Sequence, residues 1–255
     1  MRDADLTAWI SEASRELAEV AATVGAHSRV PACPGWTMRQ LVAHVISGLS
    51  GWYTYNLTHG AERLDYAASW SSQPALPRGN AERLRRLVEA ADEFIELVAS
   101  IDLEAPCYVF QSRRTARAWL QRAATETAVH LRDAQEVLGQ FSVWPADRAA
   151  ASIDETLRVM WHGALLLRGD LGAERVPDEA ITVGATDLGM VWRVRKAPGD
   201  FIVERLDPTG APFDLSVMGR SDDLIAWLWG RTPASQLAFT GDIARIDAWN
   251  LSAHI

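Results

Sequence analysis

The chain has 255 residues, enough for one large domain or two modest ones, and 48% of them are hydrophobic, as in proteins with a folded core. The formal net charge of −8 and the pI of about 5.3 argue against nucleic acid or an anionic membrane surface as the main partner. No apolar run is long enough to cross a bilayer, and the first residues lack the apolar segment of a signal peptide. Cys33 and Cys107 form no Cys-x-x-Cys motif, so we expect no disulfide framework and a cytoplasmic location.

The first two-thirds of the chain has the apolar periodicity of amphipathic helices. Thr37 and Gln40 form a Thr-x-x-Gln capping box that predicts the start of the second helix, and Asn80 is predicted to cap the third. The segment 106–114 is predicted to be a loop. Helices of this length with moderate connections predict an antiparallel bundle, in which inward residues of facing helices build metal sites. The predicted helices cover residues 6–24, 37–59, 80–98, 115–138 and 149–167.

The pattern changes after a segment rich in glycine and charge, Arg168 to Asp178, which predicts a linker. Short runs rich in Val, Ile, Phe and Trp then alternate with turn residues, as in β-strands. The predicted fold class is therefore α+β, with a helical bundle over residues 1–168 and a smaller α/β domain over residues 178–255. In the second domain, strands are predicted at 180–185, 190–194, 201–206, 213–218 and 236–240, and helices at 222–229 and 243–251.

Three residues of the bundle offer ligands for a metal. His44 lies about two turns into the second helix, and Glu126 and His130 lie four residues apart on one face of the fourth. Two imidazoles and one carboxylate suit a divalent metal and leave coordination positions open. Each residue also has an ordinary interpretation, with His44 as a packing residue at the edge of an apolar stripe and Glu126 with His130 as an intrahelical pair.

Three segments resemble the mycothiol-dependent maleylpyruvate isomerase family. The first is Val-Pro-Ala-Cys-Pro-Gly-Trp-Thr, which leads into His44, and the second is Glu126-x-x-x-His130-x-x-Asp133. The third is the segment 219–231, which ends in Trp-Gly-Arg. The resemblance implies a DinB-like four-helix bundle that binds a metal through His44, Glu126 and His130. It also implies a sterol-carrier-like C-terminal domain, zinc or another divalent ion as the metal, and mycothiol as the thiol cofactor or co-substrate.

Asp133 and Arg231 have two interpretations each. Asp133 either accepts a hydrogen bond from a ligand imidazole, which would fix the tautomer of that ring, or is a solvated acid that pairs with Arg132. Arg231 resembles a family arginine implicated in activity, and we expect it to bind a carboxylate of the substrate or the thiol; alternatively it neutralises a helix C-terminus. Cys33 is expected to be structural, because no nearby base is evident.

The ligand set predicts chemistry at a metal-activated thiolate, because a metal-bound thiol is deprotonated at neutral pH. Addition of the thiolate to an unsaturated or electrophilic small molecule gives cis–trans isomerisation if it is reversed and S-conjugation if it is not. One alternative is a non-catalytic carrier or sensor with a structural metal, which requires a closed shell of four ligands; another is hydrolysis by metal-bound water. The expected partners are that small molecule and a low-molecular-weight thiol, and monomer and homodimer both remain open.

Overall fold

The computed structural model of the chain divides into two compact units, Met1–Ser142 and Val143–Ile255. Across the residues it describes, no helix has both the length and the apolar character needed to cross a membrane. Residues 169–175 of the predicted linker, the segment 208–213 and the last predicted helical residue, 251, lie outside the described residues. The structure describes residues 1–63, 75–110, 112–140, 142–168, 176–198, 200–207 and 214–250.

Within the described residues of the first unit, four helical segments pack into a bundle, as the periodicity predicts. The first (Asp3–Val24) packs against the third (Asn80–Ser100) and the fourth (Arg117–Glu136), and the second packs against the same two helices. Large apolar side chains such as Ile10, Leu41, Phe94 and Trp119 are fully buried between them. The segments are α1 (Asp3–Val24), α2 (Met38–Ser47) with a π-helical continuation (Gly48–Tyr53) into α3 (Thr54–His59), α4 (Asn80–Ser100) and α5 (Arg117–Glu136).

The start of α2 is fixed by the capping box that the sequence predicts. The backbone N–H of Thr37 donates to Oε1 of Gln40 at 2.9 Å, and both halves of the box are present. The box satisfies N–H groups that the first turn of a helix leaves without an intrahelical partner. It therefore fixes the register of α2, and this register places His44 opposite α5.

Residues 106–109 and 112–115 form two paired antiparallel strands, so the prediction of a loop at 106–114 is wrong. Strand β1 (Pro106–Val109) pairs antiparallel with β2 (Ser112–Thr115). The strands have four residues each, and β2, Ser-Arg-Arg-Thr, has no apolar alternation from which a strand could be predicted. The predicted cap of α4 is also displaced, because Gly79 is the N-cap and Asn80 is the first helical residue.

The second unit combines helices with a five-stranded sheet. Its order is β5 (Asp200–Leu206), β4 (Met190–Ala197), β3 (Ile181–Ala185), β6 (Leu215–Gly219) and β7 (Ala238–Thr240). Strands β3 and β6 are parallel, and the other neighbouring pairs are antiparallel. This mixed sheet beside helices confirms the predicted α+β class. The elements are α6 (Ala146–Glu155), a π-helical segment (Thr156–Met160), α7 (Trp161–Arg168), β3 (Ile181–Ala185), β4 (Met190–Ala197), β5 (Asp200–Leu206), β6 (Leu215–Gly219), α8 (Ser221–Leu228), a short 3-10 helix (Ala234–Gln236), β7 (Ala238–Thr240) and α9 (Ile243–Trp249).

The helical segment 146–168 lies in the second unit, whereas the sequence analysis places it in a first domain of residues 1–168. The ring of Trp161 lies 6.2 Å from that of Trp227 and 5.9 Å from that of Trp249, measured between centroids. Arg158 also donates to the carbonyl of Val203 in β5 at 2.8 Å. Helical periodicity identifies the buried face of a helix but not the neighbour that covers it. The sequence therefore predicts this helix without predicting the unit to which it belongs.

Asp187, in the turn between β3 and β4, caps the start of α8. Its carboxylate accepts hydrogen bonds from the N–H of Ser221 at 2.8 Å and from the Ser221 hydroxyl at 2.9 Å. Burial raises the pKa of Asp187, but the hydrogen bonds from Ser221 outweigh this effect and hold the pKa below its ordinary value of 3.8. The ionised carboxylate therefore stabilises the folded second unit.

We expect Asp187→Asn to lower the free energy of unfolding of the second unit by about 1 kcal/mol at neutral pH. A carboxylate whose pKa is lowered by folding stabilises the protein above its unfolded pKa and loses this effect as the pH falls through its folded pKa. The difference between the wild type and the variant should thus shrink as the pH drops below the ordinary value of 3.8. Urea unfolding as a function of pH measures this, with the exposed Asp247→Asn as control. A difference that does not change with pH would contradict the assignment.

Candidate metal centre

Side chains from two facing helices of the bundle converge in the first unit. Helix α2 contributes His44, and α5 contributes Glu126 and His130 from successive turns. Nε2 of His44 lies 2.7 Å from Oε1 of Glu126, and Nε2 of His130 lies 3.7 Å from the same oxygen. Donor atoms of the three residues all lie within 4.8 Å of one another. The structure thus brings together the three residues that the sequence predicts as metal ligands.

This cluster is buried on the α5 side and open on the α2 side. The side chain of His130 is 6% exposed and that of Glu126 is 16% exposed, whereas the imidazole of His44 is 35% exposed. Two imidazole nitrogens and a carboxylate oxygen are ligands that zinc accepts, and a catalytic zinc site keeps one position for a small molecule. The donor set and its open side therefore fit a divalent cation with an accessible coordination position.

The second oxygen of Glu126 is held by groups inside the bundle. Nη2 of Arg122 donates to Oε2 at 2.7 Å, and the hydroxyl of Tyr53 donates to the same oxygen. Burial alone would raise the pKa of Glu126, but the guanidinium of Arg122 and the imidazoles of His130 and His44 outweigh it and hold the pKa well below its ordinary value. Glu126 is therefore a carboxylate whose Oε1 faces the two imidazoles.

The second ring nitrogen of His130 contacts a buried acid. Nδ1 of His130 lies 2.9 Å from Oδ2 of Asp133, and the thiol of Cys33 donates to the same oxygen at 3.3 Å. Burial lowers the pKa of His130, but the hydrogen bond with Asp133 and the nearby groups of Cys33 and Glu126 outweigh this and hold the pKa well above the ordinary value. If a metal replaced the proton on Nε2, the hydrogen bond to Asp133 would keep the remaining proton on Nδ1, which is the tautomer that a metal ligand needs.

Cys33, His130 and Asp133 form a second group whose donor atoms lie within 4.8 Å of one another. All three are buried, and both the imidazole Nδ1 and the thiol are within hydrogen-bonding distance of one Asp133 oxygen. Asp133 thus satisfies buried polar groups around His130, as an acid that supports a metal ligand does. This contact favours the orienting role over a solvated acid, because Asp133 is only 2% exposed.

Trp36 covers the two imidazoles. Its ring centroid lies 5.0 Å from that of His44 and 6.3 Å from that of His130. The residue lies in the loop before α2, within the Pro34–Thr37 segment whose capping box fixes that helix. Trp36 therefore forms an apolar wall beside the cluster, and a low-dielectric neighbour of this kind strengthens electrostatic interactions within it.

Arg231 belongs to the second unit and follows the C-terminus of α8. Its N–H donates to the carbonyl of Ala226 at 2.7 Å, and its guanidinium donates to the carbonyl of Trp229 at 2.8 Å. These contacts match the interpretation of Arg231 as a cation at a helix C-terminus. A role in binding a carboxylate stays a prediction.

Two residues that contact Glu126, Arg122 and Tyr53, are not among the predicted site residues. Arg122 precedes Glu126 by one helical turn, so the spacing Arg-x-x-x-Glu-x-x-x-His contains a signal that could have identified it. Tyr53 has no such signal, because its position depends on the π-helical segment. Cys33 is predicted to be structural only, because its acid partner, Asp133, is 100 residues away along the chain.

We expect Asp133→Asn to weaken zinc binding by roughly 10–100-fold, the usual cost of removing an acid that orients a ligand histidine. The amide presents an N–H₂ group where Nδ1 of His130 and the Cys33 thiol need an acceptor. Zinc competition titration measures the change, and Glu136→Gln, on the last turn of the same helix, is the matched control. Unchanged affinity in Asp133→Asn would show that Asp133 does not orient His130.

The fold has counterparts among known proteins. The family model described as the mycothiol maleylpyruvate isomerase N-terminal domain matches residues 3–135, just over half of the chain. A crystal structure of a mutant of the mycothiol-dependent maleylpyruvate isomerase aligns with a TM-score of 0.59 at 12% identity, covers 94% of this chain and 93% of that one, and shares its fold. A second crystal structure, of the mycothiol-dependent maleylpyruvate isomerase, aligns with a TM-score of 0.49 at 14% identity over 94% of this chain and 93% of that one.

A comparison with curated proteins finds no match. The match over residues 3–135 shows that the chain belongs to the mycothiol maleylpyruvate isomerase family.

Proposed function

We propose that the protein is a mycothiol-dependent metalloenzyme whose metal is held by His44, Glu126 and His130. The observation that carries this proposal is the convergence of the three donor atoms within 4.8 Å, on the open side of a bundle that the family model covers. A bound divalent cation would supply Lewis acidity that lowers the pKa of a thiol and makes it a thiolate at neutral pH. Zinc is the proposed ion, because it accepts nitrogen, oxygen and sulfur ligands.

The residues of the chain have distinct tasks in this proposal. His44 and His130 provide neutral nitrogen donors, and Asp133 keeps the proton of His130 on Nδ1, so that Nε2 remains free to bind. Trp36 forms the apolar wall beside the cluster. Arg231 is the proposed partner for a carboxylate of the thiol or the substrate, a task that suits a bidentate guanidinium.

The proposed reaction is addition of the thiol to an unsaturated or electrophilic small molecule. Reversal of the addition after bond rotation gives cis–trans isomerisation, whereas a retained adduct gives S-transfer; the family description names an isomerase. Both reactions use the same site, and the chemistry of the substrate determines which of them occurs. A carrier or sensor with a structural metal needs four protein ligands, and among the described residues the cluster around His44 offers three.

We expect the zinc-loaded protein to bind mycothiol and the metal-free protein not to bind it, because the thiolate is stabilised only beside the cation. Isothermal titration calorimetry with mycothiol measures this, on wild-type protein before and after metal removal by a chelator. Assays with maleylpyruvate then separate the outcomes: isomerisation that needs mycothiol supports the proposal. Equal binding with and without metal, or turnover that needs no thiol, would overturn it in favour of a carrier or a hydrolase.

A further inference from the structure

Glu126 is held at both of its oxygens, and the two oxygens face different surroundings. Oε1 faces the imidazoles of His44 and His130, whereas Oε2 accepts from Arg122 and Tyr53. The two donors are almost fully buried, with Arg122 at 2% and Tyr53 at 3% exposure. A carboxylate that binds a metal through one oxygen occupies one coordination position, whereas a bidentate carboxylate occupies two. Binding through one oxygen therefore leaves a position open for another ligand.

We infer that Arg122 and Tyr53 are positioning residues that hold Oε2 of Glu126, so that this carboxylate binds the metal through Oε1 alone. This inference rests on the metal site of the proposed function. Its consequence is that the cation keeps an exchangeable position for the thiol, on the side where His44 is 35% exposed. Arg122 also places a positive charge beside the ligand set, and this charge balances that of Glu126 and keeps the centre electrophilic.

The π-helical segment explains how Tyr53 reaches Glu126. In a regular α-helix each residue turns by about 100°, so Tyr53, nine residues after His44, would lie about 180° from it around the helix. A π-helix turns less per residue, because its hydrogen bonds span five residues. Over Gly48–Tyr53 the difference rotates Tyr53 by on the order of 100° toward the face of His44. The two side chains then reach the two oxygens of one carboxylate.

The experiment compares Co²⁺-loaded wild type with Arg122→Met, Arg122→Lys and Tyr53→Phe, all in the full chain. Visible absorption of Co²⁺ weakens as its coordination number rises, so it reports whether Glu126 binds through one oxygen or two. We expect Arg122→Met to lose absorption intensity at saturating cobalt and Tyr53→Phe to lose less. Arg122→Lys should retain most of the wild-type intensity, since a lysine restores a charged donor. Arg117→Met and Tyr55→Phe are the controls; Arg117 pairs with Asp3 and Glu104, and Tyr55 stacks on His59.

The outcomes separate this inference from the proposed function. Wild-type protein that binds no Co²⁺ would overturn the metal site itself. Wild type that binds Co²⁺, with spectra unchanged in all the saturated variants, would overturn only the role of Arg122 and Tyr53. Loss of binding in Arg122→Met, Arg122→Lys and Tyr53→Phe would also overturn it, because the pair would then assemble the site rather than set how Glu126 binds. A weaker spectrum in Arg122→Met that Arg122→Lys restores supports the inference.

Discussion

Replacing His44 by alanine is expected to abolish metal binding while leaving the fold intact. His44 is one of three donors, and removing a donor should cost more than the roughly 10–100-fold in affinity that removing a supporting residue costs. The imidazole is 35% exposed and contributes little to the core. The free energy of unfolding of the metal-free variant should therefore lie within about 1 kcal/mol of the wild-type value. Zinc titration calorimetry and urea unfolding in the presence of a chelator measure the two quantities.

The control for this variant is His59→Ala. His59 lies at the end of α3, where its ring stacks on that of Tyr55, and it is not one of the three donor residues of the cluster. The His59→Ala variant should bind zinc with the affinity of the wild type. If His44→Ala also bound zinc with wild-type affinity, His44 would be a packing residue, as its ordinary interpretation holds.

Glu126→Ala is expected to lose both the metal and a large part of the stability of the bundle. The substitution removes the carboxylate that the guanidinium of Arg122 contacts at 2.7 Å, in a place where Arg122 is only 2% exposed. Breaking a buried ion pair by removing one partner costs about 3–5 kcal/mol, because the remaining charge stays desolvated. Urea unfolding of the metal-free proteins should therefore show a much larger loss for Glu126→Ala than for His44→Ala.

A double variant tests the reason for this loss. Arg122→Met combined with Glu126→Ala removes both charges, and replacing a buried pair by apolar groups is often neutral. The double variant should recover most of the stability that Glu126→Ala loses, yet still bind no zinc. A double variant as unstable as Glu126→Ala would show that the loss comes from packing around residue 126 rather than from the desolvated guanidinium.

Local signals in the sequence predict the parts of the fold that depend on local physics. The capping box at Thr37 fixes the start of α2, and the four-residue spacing of Glu126 and His130 places both on one face of α5. The α+β class follows from the change of periodicity after Arg168. The parts that depend on distant contacts were not predictable, such as the packing of the segment 146–168 with the sheet of the second unit.

The candidate site likewise contains residues that the sequence predicts and residues that it does not. The sequence, with its family resemblance, identifies His44, Glu126, His130 and Asp133, and the structure brings them together. Tyr53 was missed because helical periodicity assumes a constant turn per residue, whereas the segment Gly48–Tyr53 is π-helical. Residues whose position depends on an irregular backbone are visible only once that backbone is known.

X-ray absorption at the zinc edge of the loaded protein, before and after addition of mycothiol, tests the central claim most directly. The proposal predicts nitrogen and oxygen neighbours at about 2.0–2.2 Å from His44, Glu126 and His130, and a new sulfur neighbour at about 2.3 Å when mycothiol is added. A zinc ion with four unchanging protein ligands and no added sulfur, or a protein that retains no zinc, would contradict the claim that this cluster activates a thiol.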